Sequence, residues 1–324
     1  MRILFAGTPE FAVPSLRALA RRADIELVGV LTAPARPAGR GRRLQPSPVA
    51  AAAAELGLPV LTPQRLGREA REQAAALGAD LLVVVAYGRI FGPKFLELFA
   101  HGGINLHPSL LPRHRGPAPI PATILSGDAE AGLTVQQLAL EMDAGDILLQ
   151  ERRRLEGSET TAVLYPWAAE TGAELVVQAV QGIADGTVRP QPQDHDLATY
   201  CGLLQKDDGA IDWFRPAEEI DRLIRAYNPY PGAFTSLDGQ KLTLWESSGV
   251  HPLPAGDPGE DSSTASAACR PGQVLQIDRQ HGILVQTGTQ ALGITQLQLA
   301  HKKNLDWRSF CNGAGDLTGR IFGG

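Results

Sequence analysis

Asp80-Leu81-Leu82-Val83-Val84-Val85-Ala86 is the stretch that decides the fold. Every position from 81 to 85 is apolar, so a strand here has no face to give to water. A strand covered on both sides belongs to a parallel sheet with helices above and below it. Residues 2–6, 26–31 and 103–106 also read as strands, separated by helix-like stretches. Thr8-Pro9 and Ser47-Pro48 each place an N-cap candidate before a proline suited to a first helical turn. Further strands are expected at 133–140 and 146–155, then a helix at 159–183 with Leu164, Trp167, Ala168, Leu175, Val176, Ala179 and Ile183 on its apolar side. Residues 1–188 should therefore form a Rossmann-like, doubly wound, mostly parallel α/β domain.

Beyond it, residues 189–208 lose periodicity and carry Pro190 and Pro192, as a connecting linker does. Short strands are then expected at 210–214, 234–237, 241–245, 272–277, 282–287 and 291–299, with one helix at 217–225. That pattern predicts a small OB-like β-barrel over 209–324. Residues 251–268, rich in Pro, Gly, Ser and Asp, read as a mobile loop between two of its strands.

The bulk properties narrow the function. A 324-residue chain with 44% hydrophobic content can bury two cores. No apolar run is long enough to span a bilayer, and Arg2 to Gly7 reads as a buried strand rather than a leader, so a cytoplasmic location away from membranes is expected. Cys201, Cys269 and Cys311 are far apart and unpaired in spacing, which suggests neither a disulfide framework nor a metal site. The net charge of −5 argues against indiscriminate nucleic-acid binding, so any such contact must be local. Gly7-Thr8-Pro9-Glu10-Phe11 lacks two glycines of the dinucleotide-binding loop, which argues against a nicotinamide oxidoreductase.

The chemistry concentrates in Asn105-Leu106-His107-Pro108-Ser109-Leu110-Leu111-Pro112-Arg113-His114-Arg115-Gly116-Pro117. Strand alternation puts Asn105 and His107 on one face, and the prolines then force the chain out of regular structure. An isolated Asn-x-His pair is more often structural. Here Met142-Asp143-Ala144-Gly145-Asp146 adds a carboxylate in a glycine-containing turn. Asp146 reads as structural.

Asn105-x-His107-x-Ser109-Leu110-Leu111-Pro112 with a downstream Asp143-x-Gly145 resembles the signature of the folate-dependent formyltransferases. Residues 5–12, 36–49 and 228–233 resemble the members that formylate methionyl-tRNA, so the resemblance spans both domains. It implies an enzyme that passes a formyl group from 10-formyltetrahydrofolate to the α-amino group of methionine on initiator tRNA, for translation initiation. Asn105 and His107 are expected to donate hydrogen bonds to the oxyanion. Asp143 is expected to orient His107, raise its protonated fraction and relay the amine proton. Ser109, Leu110, Leu111 and Pro112 should wall the folate cleft with the turn carrying Tyr87, Gly88, Arg89 and Ile90. A sugar-amine formyltransferase would share this catalytic segment, whereas an RNA-binding module with a decayed enzyme domain need not keep all three residues.

Arg36, Arg40, Arg42 and Arg43, threaded with Gly39 and Gly41, form a cationic loop after the second strand, on the side of the site. In an otherwise acidic chain it suits phosphate contact with tRNA better than a plain solvated loop. Lys206, Lys302, Lys303 and Arg308 are expected to add a second phosphate-contacting surface, while Leu203 stands where the family tends to carry a basic residue. Nothing in this scheme needs a partner subunit, so a monomer is expected. Replacing Arg40 and Arg42 by alanine should weaken tRNA binding and flatten its salt dependence while leaving folate binding intact. An unchanged salt slope would rule the loop out.

Overall fold

The computed structural model describes residues 1–38, 43–253 and 270–323, and it places Leu81–Val85, buried along its length, at the centre of a seven-stranded sheet. The chain opens with β1 (Arg2–Gly7) and β2 (Glu26–Leu31), makes a separate two-stranded ladder from β3 (Arg36–Ala38) and β4 (Arg43–Gln45), and returns as β5 (Val60–Leu61). It continues through β6 (Leu81–Val85), β7 (Gly103–His107), β8 (Glu130–Gln137) and β9 (Ile147–Arg154). The spatial order is β5-β2-β1-β6-β7-β8-β9, parallel from β5 to β7 and antiparallel across β7, β8 and β9. The cationic segment is thus a paired hairpin at its base, and residues 39–42, with Arg40 and Arg42, lie outside the described residues.

The helices of this unit are α1 (Val13–Ala20), α2 (Pro48–Glu55), α3 (Arg68–Ala76), α4 (Pro93–Leu96), α5 (Pro119–Leu125) and α6 (Thr161–Ala184). Ser47 caps α2 as its sequence predicts, accepting the Ala50 N–H at 3.0 Å. Thr8 does not cap α1. A 3-10 turn at Glu10–Ala12 intervenes, so α1 begins too far along the chain for Thr8 to reach. Its hydroxyl donates instead to the Tyr87 carbonyl at 3.2 Å, tying the end of β1 to the end of β6. Between those two strands the connections depart in opposite directions, which opens a crevice at their carboxyl ends.

Two compact units divide the chain, the first comprising Met1–Thr123, Ala129–Leu155 and Val163–Leu203, the second Ile124–Asp128, Glu156–Ala162 and Leu204–Gly324. The segment at 189–208, expected as a connection, is divided between them, residues up to Leu203 falling in the first. Gln191 exchanges backbone hydrogen bonds with Ile147 at 2.8 and 2.9 Å, and Arg115 donates to Thr199 and accepts from Cys201 at 2.8 Å each. Its prolines break helix periodicity, yet an extended chain can still pair along its backbone.

The second unit holds α7 (Ala217–Ala226), β10 (Ala233–Leu237), β11 (Gln240–His251), β12 (Val274–Asp278), β13 (Gly282–Gln286), β14 (Ala291–Leu299), β15 (Leu305–Asp306) and α8 (Trp307–Ala314). Its antiparallel path runs β10-β11-β14-β13-β12, with β15 on β14; among the described residues no ladder joins β10 to β12. Trp213, Ile220, Ile224, Leu244, Ile283 and Phe322 lie in its core. Residues 210–214, expected as a strand, make only an isolated bridge from Ala210 to Phe234, because Trp213 turns into that core and donates its indole N–H to Thr235. α8 escaped the sequence analysis although Asp306 caps it, accepting from Arg308 and Ser309. Of the loop expected at 251–268, residues 254–268 lie outside the described residues. No described helix is long and apolar enough to cross a membrane.

Leu82, wholly buried on β6, gives a direct test of the central strand. Leu82→Ala should destabilise the first unit by about 2–5 kcal/mol, read by chemical denaturation. A loss below about 1 kcal/mol would show that the strand is not packed on both faces.

Candidate active site

β7 carries Asn105 and His107 to the carboxyl edge of the sheet, beside Gln136 and Thr134 of β8 in register. Past His107 the chain leaves the ladder, and Thr134 holds it there: the Thr134 hydroxyl donates to the Ser109 carbonyl at 2.7 Å and accepts the Leu111 N–H at 3.2 Å. Gln150 Nε2 donates to the Leu111 carbonyl at 2.9 Å, and Ser109 Oγ to the Arg113 carbonyl at 2.6 Å. These bonds fold the proline-rich segment back over its own strand. The His114 carbonyl lies 2.9 Å from His107 Nε2. A carbonyl only accepts, so Nε2 carries the hydrogen and Nδ1 is left facing Asp143 Oδ2 at 3.6 Å.

Asp143 sits in the turn between β8 and β9 with φ of 54°, and each of its carboxylate oxygens takes a donor. The Gly116 N–H reaches Oδ2 at 2.8 Å and Gln136 Nε2 reaches Oδ1 at 3.0 Å. Two glycines make this possible. A Cβ on Gly116, itself at φ of 115°, would strike the Cys201 carbonyl, and one on Gly145 would strike the Gln137 carbonyl.

Burial pushes the His107 pKa below the usual 6.5, and the opposing pull of Asp143 is the smaller effect. Asp143 pulls toward protonation as expected, but burial outweighs it and the ring, 4% exposed, is held toward neutrality on balance. His107 also differs from expectation as an oxyanion donor, because its N–H is already committed to the His114 carbonyl. Asn105 is partly exposed and makes no side-chain hydrogen bond among the described residues, so its amide remains available. Among the described residues no group of three or more His, Cys, Asp or Glu could hold a metal ion.

A formyl transferase family model matches residues 1–180, and a formyl transferase C-terminal domain model matches 203–315. Methionyl-tRNA formyltransferase of Treponema denticola is 45% identical over 326 residues, covering 98% of each chain. The Pseudomonas putida GB-1 protein of that name is 42% identical over the whole of both. The chain belongs to the methionyl-tRNA formyltransferase family. Solved structures share the fold at low identity. An N-formyltransferase from Helicobacter canadensis, in complex with folinic acid and dTDP-3-aminofucose, aligns with a TM-score of 0.64 at 17% identity, over 90% of this chain and 98% of that one. Methionyl-tRNA formyltransferase from Clostridium thermocellum gives 0.55 at 16%, over 76% and 93%.

The other residues that the resemblance to this family singled out divide by exposure. Ile90 is 69% exposed and Gly88 is exposed, where φ of 47° at Ala86 and 80° at Gly88 bends the chain away from β6. Tyr87 is buried against Phe91, its hydroxyl without a hydrogen-bond partner among the described residues, and Arg89 donates to the Pro63 carbonyl at 2.9 Å. Ser109 and Leu111 are buried and hold the loop, whereas Leu110 and Pro112 are half-exposed. Arg36 and Arg43 are exposed on the β3–β4 ladder, as Lys206, Lys302 and Lys303 are on the second unit. Arg308 is exposed there too and donates to the Arg279 carbonyl at 2.9 Å, while Leu203, at the end of the first unit, is 76% exposed.

Sequence reasoning passed over Thr134, Gln136, Arg115 and Gln193, all buried. Polar residues alternating with apolar ones inside Leu133-Thr134-Val135-Gln136 were a readable signal for the first two, since a buried polar side chain needs partners. Gln193 carried no such signal.

The titration of His107 tests this electrostatic picture. By NMR its imidazole should titrate below 6.5, and lower still in Asp143→Asn, because the substitution removes the opposing carboxylate. Stability shows the same sign: a pKa lowered in the folded state takes stability away as pH falls below 6.5. A folded-state pKa at or above 6.5 would contradict it.

Proposed function

We propose that the chain transfers the formyl group of 10-formyltetrahydrofolate to the α-amino group of methionine on initiator tRNA, giving N-formylmethionyl-tRNA for translation initiation. Family membership supports the donor and acceptor; the observation that carries the chemistry is the neutral-leaning His107 with Nδ1 beside Asp143, next to the uncommitted amide of Asn105. The amine nitrogen attacks the formyl carbon, a C–N bond forms, and the carbonyl electrons move onto oxygen. Asn105 Nδ2–H donates to that oxyanion. The amine proton passes to His107 Nδ1, and the Asp143 carboxylate stabilises the imidazolium so formed. The oxyanion then collapses, the bond from carbon to N10 of the folate breaks, and N10 takes the proton. The 3.6 Å gap between Nδ1 and Asp143 is long for a direct hydrogen bond, so the Nδ1 lone pair is not committed to the carboxylate.

The folate fits beside this group. Bent backbone at 86–90 exposes peptide groups for a heterocycle edge, and Ile90, Leu110 and Pro112 offer apolar surface around it. Arg36, Arg43, Lys206, Lys302 and Lys303, with Arg40 and Arg42, are the cations assigned to tRNA phosphates. We assign a monomer acting in the cytoplasm, where aminoacylated tRNA and reduced folates occur together.

Offering 10-formyltetrahydrofolate with aminoacylated initiator tRNA, elongator tRNA and a nucleotide amino sugar in parallel should yield formylation of the initiator alone. Asn105→Ala should lower that turnover about 100- to 1000-fold, the cost of losing one oxyanion donor. Formylation of the sugar alone would overturn the acceptor assignment. Near-normal turnover of a folded Asn105→Ala enzyme would overturn the role given to its amide.

A further inference from the structure

Arg115 is 1% exposed, and the groups that meet its guanidinium are neutral or weakly basic. Gln193 Oε1 accepts from Nε at 3.2 Å and from Nη2 at 2.7 Å; Tyr200 Oη lies 3.3 Å from Nη1 and His195 Nδ1 3.2 Å from Nη2. A guanidinium only donates, so it forces the orientation of the Gln193 amide. The Gln193 NH2 then faces the Asp143 carbonyl at 2.9 Å, the Gly145 carbonyl at 2.7 Å and Gln136 Oε1 at 3.2 Å. With its oxygen occupied, Gln136 presents its own NH2 to Asp143 Oδ1. Every donor in this chain points the same way, from the buried cation to the carboxylate.

We propose that Arg115 and Gln193 are positioning residues for Asp143, a relay that sets both the backbone of its turn and the donor its carboxylate receives. The inference rests on the formyl-transfer reading of Asn105, His107 and Asp143. Residues 191–201 are then a wall of the active site, although their sequence reads as a connection. Gln193 is the side chain of this segment that contacts Arg115, Gln136 and the 143–145 turn together, while Thr199 and Cys201 bond the 114–115 backbone beside it. The ionisable groups around Asp143 and Arg115 include His107 and Cys201 near Asp143, His114 near His107, and His195 and Tyr200 on Arg115.

Gln193→Glu separates positioning from mere neutralisation of Arg115. It keeps the shape and strengthens the contact with the guanidinium, but it replaces the donors aimed at Asp143, Gly145 and Gln136 by an acceptor. Gln136 is then free to turn its NH2 toward the new carboxylate and its oxygen toward Asp143. Turnover with 10-formyltetrahydrofolate and methionyl-tRNA should fall about 100-fold, the scale of an ångström's misplacement, while both KM values stay within about threefold. The acid limb of kcat/KM should move up by about one pH unit, since a lost donor and an added negative charge both favour protonation of the His107–Asp143 pair. His107 should keep its Nε2–H tautomer by NMR, because the His114 carbonyl is untouched. Gln136→Met, which interrupts the relay from its other end, should shift the limb the same way, and the double variant should lose less than the sum. It also serves as the test if Gln193→Glu does not fold. Unchanged turnover and limb in either folded variant, with Asp143→Asn inactive in the same assay, would overturn the relay alone; activity retained in Asp143→Asn would overturn the underlying reading.

Discussion

The hydrogen bond from His107 Nε2 to the His114 carbonyl constrains everything else in the site. It fixes the imidazole tautomer, withdraws the one N–H that a neutral ring could offer a substrate, and leaves a lone pair at Nδ1 toward Asp143. In the mechanism we propose, the division of labour follows: the amide at Asn105 meets negative charge on oxygen, and the imidazole takes a proton. The bond exists because Thr134, Gln150 and Ser109 fold the loop after β7 back onto its own strand.

Placing a carboxylate beside a buried imidazole carries a desolvation penalty. The protein answers with donors on both oxygens of Asp143, one from the Gly116 backbone and one from Gln136. Gln136 can serve only if its amide is turned the right way. Buried amides are symmetrical enough to flip, and the donor-only guanidinium of Arg115 removes that freedom through Gln193. A buried arginine facing neutral groups is costly, and in the relay we propose the order it imposes offsets that cost.

The doubly wound sheet supplies the stage. Its change of direction at β1 leaves the ends of β1 and β6 facing a crevice, and Thr8 bonds across it to the Tyr87 carbonyl. β7, next in the sheet, delivers Asn105 and His107 to the same edge. The second unit is built on other terms, an antiparallel sheet around Trp213, Ile220 and Phe322 with Lys206, Lys302 and Lys303 exposed on it.

The sequence by itself determined the central strand, because burial on both faces forces an unbroken apolar run at Leu81–Val85. It determined the pairing of Asn105 with His107 on one face, because strand alternation is a local rule, and it marked Asp143 through the glycine two residues on. It missed α8 despite the local capping signal at Asp306, and it misread 210–214, where distant packing overrides local pattern. It could not reach the protonation of His107, whose direction depends on how deeply other segments bury it. Nor could it reach the partnership of Arg115 with Gln193, 78 residues apart. Only the tertiary structure decided these, since desolvation and donor orientation belong to neighbours brought together in space rather than along the chain.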